Sequence, residues 1–423
     1  MIKFKDLKLN TFILNALNEL GYETPTPIQE KAIPLVLDEH DLLGIAQTGT
    51  GKTAAFCLPI LNKLNQKKKR PQPKSPRALV LTPTRELAIQ IFDNLKTYGK
   101  YLPQKYSVIF GGVGQHPQVQ SLRQGVEVLV ATPGRLLDLC QQGHLKLDQV
   151  EIFVLDEADR MLDMGFANDI KKVMVMLPNK RHNLFFSATM PSVIQRLANN
   201  ILVEPKKVEI TPPATTVARI HQEVMFVDKP QKIPLLQHLL KDSAFKKVLV
   251  FVGMKHVANR VAEKLSRAGI TASAIHGNKA QGARQRAIED FSKARLRVLV
   301  ATDIASRGID IDGISHVINY DLGNLAESYV HRIGRTARAG TEGVAITFVT
   351  AEEKINLVNV ERTTKQKIKV MSDQPFHSKT AEMAAAVAAP KKAQGRGRPQ
   401  SRGPKRGPSA GQSRNKKPYP KKR

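Results

Sequence analysis

The sequence predicts two tandem α/β domains, each built on a parallel β-sheet, followed by a disordered basic tail. Short apolar runs rich in β-branched residues alternate with helical patterns over most of the chain. Runs that are apolar along most of their length are typical of strands covered by helices on both faces. The alternation is interrupted at ITPPATTVAR (210–219), where two prolines and the loss of periodicity indicate a linker.

Twelve runs are predicted to be strands, six before the linker and six after it. They are LLGIA (42–46), ALVLT (78–82), SVIF (107–110), VEVLVA (126–131), EIFVLD (151–156), LFFS (184–187), EVMFV (223–227), VLVFV (248–252), ASAI (272–275), VLVAT (298–302), HVIN (316–319) and VAITFV (344–349). The predicted domains are therefore 1–207 and 221–370, joined by a linker at 208–220. Ligands of open parallel sheets bind at the carboxyl ends of the strands, so the residues directly after the runs are expected to carry the chemistry.

Composition narrows the class of partner. The formal charge of +29 and the pI near 10.1 favour a polyanion such as nucleic acid or an anionic membrane surface. No stretch approaches 18 apolar residues, which argues against a membrane span, and the N-terminus does not resemble a secretory signal. Cys57 and Cys140 lie in apolar segments, as reduced core cysteines of a cytosolic protein do.

The positive charge is concentrated at the C-terminus. Residues 391–423 hold 13 Lys and Arg and no Asp or Glu, in a stretch rich in Gly, Pro and Ser. Such a composition cannot bury a core, so 371–423 is predicted to be a disordered tail that adds non-specific affinity for a polyanion. A shorter basic cluster at 67–70 is interpreted as a solvated loop between a helix and a strand.

The stretch GIAQTGTGKT (44–53) predicts a phosphate-binding loop, because a strand runs into it and a helical pattern follows. Gly49 and Gly51 allow backbone N–H groups to approach phosphate oxygens at the positive end of the helix. Lys52 is expected to reach the β and γ phosphates, and the Thr53 hydroxyl to ligate Mg²⁺. The loop alone indicates a nucleotide and little more.

Acidic residues at the end of another predicted strand, EIFVLD, complement this loop. An acidic residue at the tip of a buried apolar strand is costly unless it binds a metal or pairs with a cation. Asp156 therefore fits the acidic partner of Mg²⁺, and Glu157 the residue that orients or activates the attacking water. A solvated acidic helix start is the alternative, which the apolar lead-in at 152–155 disfavours.

Residues 156–159 spell DEAD, and the chain resembles the DEAD-box RNA helicases. The loop AQTGTGKT is similar to that family's own version, in which alanine at the position of Ala46 is normal. The resemblance extends from Phe4 to about Val349. The linker, HGNKAQGAR and the basic tail most resemble the bacterial RhlE group. The resemblance implies two RecA-like domains that bind ATP, Mg²⁺ and RNA.

By this resemblance, Gln29 bonds the adenine edge, Tyr22 stacks on the ring and Phe4 supports it. An amide can donate and accept at once, which suits adenine. Asp310 is expected to contact the ribose or to help position arginines at the phosphate. The expected phosphate-loop residues are Thr48, Gly49, Thr50, Gly51, Lys52 and Thr53.

The resemblance also implies an active site shared by both domains. Ser187 and Thr189 match the motif that couples hydrolysis to strand separation. Arg335 and Arg338, in HRIGRTARAG, match arginine fingers that reach the γ-phosphate and act with Lys52, Asp156 and Glu157. Ala337 stands where the family more often has glycine, a change expected to leave the fingers in place. ATP and RNA together are expected to close the cleft.

Several segments at other strand ends resemble the family's RNA contacts. Small residues, hydroxyls and arginines suit backbone contacts that do not read sequence. The expected RNA-binding residues are Pro83, Thr84, Arg85, Gly111, Gly112, Thr132, Pro133, Gly134, Arg135, Gln281, Arg284, Thr302 and Asp303.

The sequence thus predicts an ATP-dependent RNA helicase or RNP remodeller that unwinds short duplexes without processive tracking. An RNA-binding scaffold with a dead ATPase is disfavoured because Lys52, Glu157, Arg335 and Arg338 are all present. A DNA helicase is disfavoured by the resemblance. The RhlE-like features suggest rRNA maturation or RNA decay in the cytoplasm, with ribosome precursors or decay enzymes as partners and no membrane. The oligomeric state cannot be inferred from the sequence.

Overall fold

The structure is a computed structural model that describes residues 2–47, 49–67, 69–210, 220–306, 311, 313–323, 326–337 and 342–386. The strands are β1 (Leu42–Ile45), β2 (Ala78–Leu81), β3 (Tyr106–Ile109), β4 (Val128–Ala131), β5 (Ile152–Leu155), β6 (His182–Ser187), β7 (Lys206–Glu209), β8 (Ile220–Phe226), β9 (Val248–Phe251), β10 (Ala272–Ile275), β11 (Val298–Ala301), β12 (His316–Asn319), β13 (Gly343–Val349) and β14 (Lys369–Val370).

Helices precede, separate and follow these strands. The α-helices are α1 (Thr11–Glu19), α2 (Pro27–Leu37), α3 (Lys52–Gln66), α4 (Arg85–Tyr98), α5 (His116–Arg123), α6 (Pro133–Gln141), α7 (Ala158–Asp163), α8 (Ala167–Met176), α9 (Ser192–Ile201), α10 (Lys232–Leu239), α11 (Lys255–Arg267), α12 (Gln281–Ser292), α13 (Asp303–Ser306), α14 (Ala326–Ile333), α15 (Lys354–Thr364) and α16 (Lys379–Met383). Among the described residues, no helix is both long and apolar enough to cross a membrane.

The strands form two separate seven-stranded sheets in which neighbouring strands run parallel. The orders are β3-β4-β2-β5-β6-β1-β7 and β10-β11-β9-β12-β13-β8-β14. The predicted fold class is confirmed, and all twelve predicted strands are present with ends shifted by a few residues. The prediction missed β7 and β14. Both are sheet-edge strands whose side chains are mostly exposed, so their sequences lack an apolar run.

Two predicted boundaries need correction. Strand β7 ends at Glu209, inside the predicted linker. Residues 371–386, assigned to the tail, contain α16, and the Ser378 N–H donates to the Phe226 carbonyl of β8 at 3.0 Å. Ala381 of α16 is fully buried, so this segment packs on the second sheet despite its weak apolar pattern. Residues 211–219 of the linker and 387–423 of the tail lie outside the described residues.

Apolar layers cover both faces of the first sheet. Phe185 and Phe186 are consecutive in β6 and therefore point to opposite faces. Phe186 packs against Phe56 of α3, with ring centroids 5.4 Å apart, whereas Phe185 belongs to the core that contains Phe153. All four rings are fully buried. This double burial holds the strands rigidly and leaves their carboxyl ends to position polar residues.

Candidate nucleotide and RNA site

The carboxyl edge of the first sheet divides into two zones. The phosphate loop, the DEAD residues and Ser187–Thr189 follow β1, β5 and β6, which are neighbours in the sheet. The RNA-contact segments predicted in this domain follow β2, β3 and β4, which are neighbours on the other side of β5. Strand order therefore gathers the predicted nucleotide residues in one zone and these RNA residues in the next.

The nucleotide zone opens into a cavity of about 830 Å³. Predicted residues lining it are Phe4, Tyr22, Gln29, Gly49, Gly51, Lys52, Thr53, Asp156 and Glu157. Thr50 lies beside this set, and its hydroxyl donates to the Gln47 carbonyl at 2.7 Å. Thr48 and Asp310 lie outside the described residues. The cavity thus brings together segments that are more than 100 residues apart in sequence.

Gln29 joins the N-terminal segment to the phosphate loop. Its Nε2 donates to the Gly51 carbonyl at 3.1 Å, and its Oε1 accepts the Thr26 N–H at 2.9 Å. Gly51 has φ of +94°, and a Cβ there would overlap the Gln29 amide, so only glycine fits. Nε2 keeps a second N–H, and Oε1 keeps a second lone pair. The Gln29 amide can therefore still donate to and accept from a ligand edge such as that of adenine.

Lys52 and Asp156 are buried charges at the base of the cavity. The Lys52 Nζ donates to the Ala46 carbonyl at 2.7 Å, and Asp156 accepts the Glu157 N–H at 3.0 Å. Burial raises the pKa of Asp156 to about 7, although the Lys52 charge opposes this shift. A carboxylate held in this way gains free energy from a further cation.

Glu157 has a strained backbone. Its φ of +53° lies in the left-handed region, which is rare for a residue with a side chain. Its carboxylate lies 2.9 Å from the Arg160 guanidinium, and both side chains are almost completely buried. Strain of this kind persists where surrounding contacts enforce it, and it is concentrated at functional sites.

Asp159 connects the DEAD residues to the segment after β6. Its Oδ2 accepts three hydrogen bonds, from the Ala188 N–H at 3.2 Å, the Thr189 N–H at 2.9 Å and the Thr189 hydroxyl at 3.0 Å. The Ser187 hydroxyl donates to the Thr189 carbonyl at 2.7 Å. A shift of either segment therefore breaks bonds to the other. No signal in the sequence had indicated a separate role for Asp159.

The second domain faces this zone through α14. A small cavity is lined by Arg160 from the first domain and by His331 and Arg335 from the second. Burial lowers the pKa of His331 to about 4, and the nearby Arg160 and Arg335 charges act in the same direction. Arg335 is 4% exposed, and Arg338 lies outside the described residues.

Gln281 and Arg284 contact the first domain. Gln281 Nε2 and Arg284 Nη2 each lie 2.9 Å from the Glu86 carboxylate of α4, which is 4% exposed. Arg85 Nη1 also lies 3.5 Å from Gln281 Oε1. These polar groups therefore join the domains beside the RNA zone. The sequence placed Glu86 only within the expected RNA-contact segment 83–87, and no signal in it indicated a contact with the second domain.

In the RNA zone, arginine side chains lie against the glycine loop that follows β3. A Cβ on Gly112, with φ of +78°, would overlap the Arg85 guanidinium. Arg135 Nη2 donates to the Val113 carbonyl at 3.1 Å, while its buried Nη1 has no hydrogen-bond partner among the described residues. Predicted residues that precede or begin helices here are Pro83, Thr84, Thr132, Pro133 and Gly134, with Gly111 beside Gly112. An unsatisfied guanidinium N–H suits a phosphate.

The remaining predicted RNA residues follow β11. The two Asp303 oxygens pair with the Arg332 guanidinium at 2.6 and 2.7 Å. Thr302 is half-buried, and its N–H donates to the Ile275 carbonyl at 3.3 Å. Asp303 therefore holds α14, the helix of His331, in position.

Comparison with known proteins identifies the family. Residues 26–197 match the DEAD/DEAH box helicase family and 231–340 the helicase conserved C-terminal domain. The CshA helicases of Geobacillus kaustophilus and Bacillus subtilis are 43% and 42% identical, each over 88% of this chain and 78% and 74% of their own lengths. Saccharomyces cerevisiae Dbp5 bound to RNA and ADP BeF3 is 32% identical, with a TM-score of 0.75 over 87% of this chain and 95% of that one. The chain therefore belongs to the DEAD-box ATP-dependent RNA helicases, which are ATP-hydrolysing enzymes.

Proposed function

We propose that this helicase opens short RNA duplexes locally, without processive tracking, each time its two domains close over ATP and RNA. The observation that carries the proposal is the contact between Glu86 and the pair Gln281 and Arg284. It joins the domains beside the RNA zone, while Arg160, His331 and Arg335 meet beside the nucleotide zone. Closure of the two domains therefore brings together the residues of both zones, and opening of the domains separates them.

In the nucleotide zone, Lys52 holds the phosphates after exchanging the Ala46 carbonyl for a phosphate oxygen. Glu157 positions the attacking water and accepts its proton, and Arg335, with Arg338, neutralises charge that develops on the transferred phosphoryl group. Gln29 and Tyr22 hold the adenine, supported by Phe4. Asp159 carries the change at the phosphates to Ser187 and Thr189 through its three hydrogen bonds.

We also propose Mg²⁺ as the cofactor, held by the Thr53 hydroxyl and Asp156. Both residues line the same cavity, and hard oxygen donors are the ligands that Mg²⁺ prefers. The buried Asp156 carboxylate, with its raised pKa, fits this role because a cation would offset its desolvation. When bound, the ion neutralises phosphate charge and orients the γ-phosphate.

The RNA zone is proposed to hold the sugar–phosphate backbone without reading sequence. Helix starts, glycines and the arginines Arg85 and Arg135 suit phosphate contacts, and aromatic residues for base stacking are not among the predicted contacts. A strand gripped in this way is bent and cannot keep its partner strand paired, so the duplex opens locally.

The cellular setting is part of the proposal. We propose rRNA maturation or RNA decay, with ribosome precursors or decay enzymes as partners, and the narrower RhlE grouping stays a prediction. The relatives compared above are CshA proteins. A cytoplasmic location is consistent with two free cysteines, Cys57 fully and Cys140 partly buried.

The proposal is tested by steady-state ATP hydrolysis with no nucleic acid, with single-stranded RNA and with DNA of the same sequence. Glu157→Gln is the test variant and Glu30→Gln, an exposed residue of α2 outside the cavity, is its matched control. We expect stimulation by RNA alone, lost in Glu157→Gln and kept in Glu30→Gln. Tight RNA binding without hydrolysis under every condition would overturn the coupling.

A further inference from the structure

A second concave surface lies at the amino ends of the first sheet, opposite the nucleotide cavity. Two cavities of about 540 and 500 Å³ share Leu64, Lys69 and Arg77 and so form one continuous depression, here called the rear groove. Arg77 precedes β2 by one residue, and His182, which also lines it, begins β6. The groove is therefore separated from the nucleotide cavity by the length of the strands.

The rear groove is basic, with eight Lys and Arg against five Asp and Glu in its lining. Part of this charge is neutralised within the protein, because Lys67 pairs with Glu39 at 2.9 Å and Lys69 with Glu151 at 2.8 Å. Three exposed cations are different. The side chains of Arg70, Lys105 and Lys180 have no ion pair or hydrogen bond among the residues that the structure describes.

The groove also contains an unsatisfied acceptor. Gln104 Nε2 lies 3.4 Å from Asn65 Oδ1, but the buried Gln104 Oε1 has no hydrogen-bond partner within the described part of the chain. A buried carbonyl oxygen without a donor is unfavourable and gains from a ligand that brings one. Arg70 and Lys105 line the same cavity as Gln104, and cations together with a hydroxyl acceptor match phosphate and the ribose 2′-hydroxyl.

We propose that the rear groove is a second RNA-backbone site, which holds the part of a strand or duplex that extends beyond the cleft. Helix α3 begins in the nucleotide cavity at Lys52 and ends beside the groove at Gln66. Its 15 residues span about 22 Å. A stacked strand rises about 3.4 Å per nucleotide, so a strand needs at least roughly seven nucleotides to pass from the carboxyl edge of the sheet to the groove. Only RNA longer than the cleft reaches the groove.

The proposal revises the interpretation of 67–70 as a merely solvated loop. In the groove, Arg70 would contact phosphate directly, while Lys67 and Lys69 would exchange their carboxylate partners for phosphate or add to the local potential. RNA held at two places dissociates more slowly than RNA held at one, because either contact can re-form while the other persists.

The test is the affinity of the intact chain for two RNA strands across a salt series, measured by fluorescence anisotropy. One strand just fills the cleft, and the other carries an extension of ~15 nucleotides, about twice the length estimated above. The test variant combines Arg70→Gln, Lys105→Gln and Lys180→Gln. The control combines Lys171→Gln, Lys172→Gln and Lys293→Gln, which are exposed and lie outside the groove.

We expect the test variant to bind the extended strand about tenfold more weakly, with the salt slope reduced by about 2, as the loss of three phosphate contacts requires. Affinity for the short strand and maximal RNA-stimulated ATPase should stay unchanged. In Gln104→Leu, extended RNA should lose affinity relative to extended DNA.

Equal losses in test and control variants, or a loss on the short strand as well, would overturn the site. Unchanged affinity for the extended strand would also overturn it and would point to an acidic protein surface as the occupant of the groove. Failure of RNA to stimulate ATPase in the unmodified chain would count against the proposed function instead. The two failures are therefore distinguishable.

Discussion

The Glu86 carboxylate in the first domain lies 2.9 Å from the Arg284 guanidinium in the second, and each side chain is more than nine-tenths buried. Removing only one partner of such a pair costs about 3–5 kcal/mol, because the remaining charge stays buried without its partner. The contact exists only while the two domains meet, so it stabilises the closed arrangement of the domains.

Replacement of Glu86 by Gln should therefore weaken closure. We expect the RNA concentration for half-maximal ATPase stimulation to rise more than tenfold, with the rate in the absence of RNA unchanged. Arg286→Gln, exposed on the same helix as Arg284, serves as the control. In a double-mutant cycle, Glu86→Gln and Arg284→Gln together should cost less than the sum of the single changes, by about 1–3 kcal/mol. Strict additivity would contradict the assignment.

The Asp159 network predicts a separation of hydrolysis from unwinding. Thr189→Val removes the hydroxyl bond to Asp159 but keeps the backbone bond, so the nucleotide cavity itself is unaltered. We expect RNA-stimulated ATPase within about threefold of the unmodified enzyme and unwinding of a short RNA duplex lowered about tenfold, the loss of roughly one such hydrogen bond. Thr97→Val, at an exposed position of α4 where the hydroxyl donates to the Asp93 carbonyl, is the control. A parallel fall in both activities would contradict the coupling role.

The half-buried His331 predicts a pH dependence of stability. Its pKa is lowered to about 4 in the folded protein, whereas the unfolded chain binds the proton at the ordinary value of 6.5. Between these values the unfolded state holds more protons at this residue, so the contribution of His331 to the free energy of unfolding falls as pH drops from about 6.5 towards 4. Thermal unfolding over this range should show a smaller decline in His331→Gln. An identical decline in both proteins would exclude His331 as a source of the dependence.

Ala337 predicts a stabilising substitution. Its φ of +56° lies in the left-handed region, where a Cβ costs about 1–2 kcal/mol. Glycine removes this cost but adds chain entropy to the unfolded state, so Ala337→Gly should raise the free energy of unfolding by about 0.5 kcal/mol. Ala294, also at φ of +56° but exposed, is the matched control, and its glycine variant should gain stability similarly. Urea denaturation measures both, and destabilisation by Ala337→Gly would contradict the strain argument.

Much of this protein follows from sequence alone because its signals are local. Buried parallel strands are apolar along their length, so the runs LLGIA (42–46) and EIFVLD (151–156) predicted the interior strands β1 and β5 to within a residue at their carboxyl ends. The phosphate loop and DEAD residues each lie within one strand–turn–helix unit. Their chemistry and approximate position are therefore determined by a few consecutive residues.

Only the tertiary structure decided which distant residues meet. Glu86 contacts Gln281 and Arg284 across nearly 200 positions, and Asp159 binds the segment after β6 because β5 and β6 are neighbours in the sheet. Residues 371–386 became part of the second domain through packing against β8, without a strong apolar pattern. The rear groove likewise requires strand ends from several units. Periodicity reports the environment of one element, whereas such contacts depend on how the elements are arranged in space.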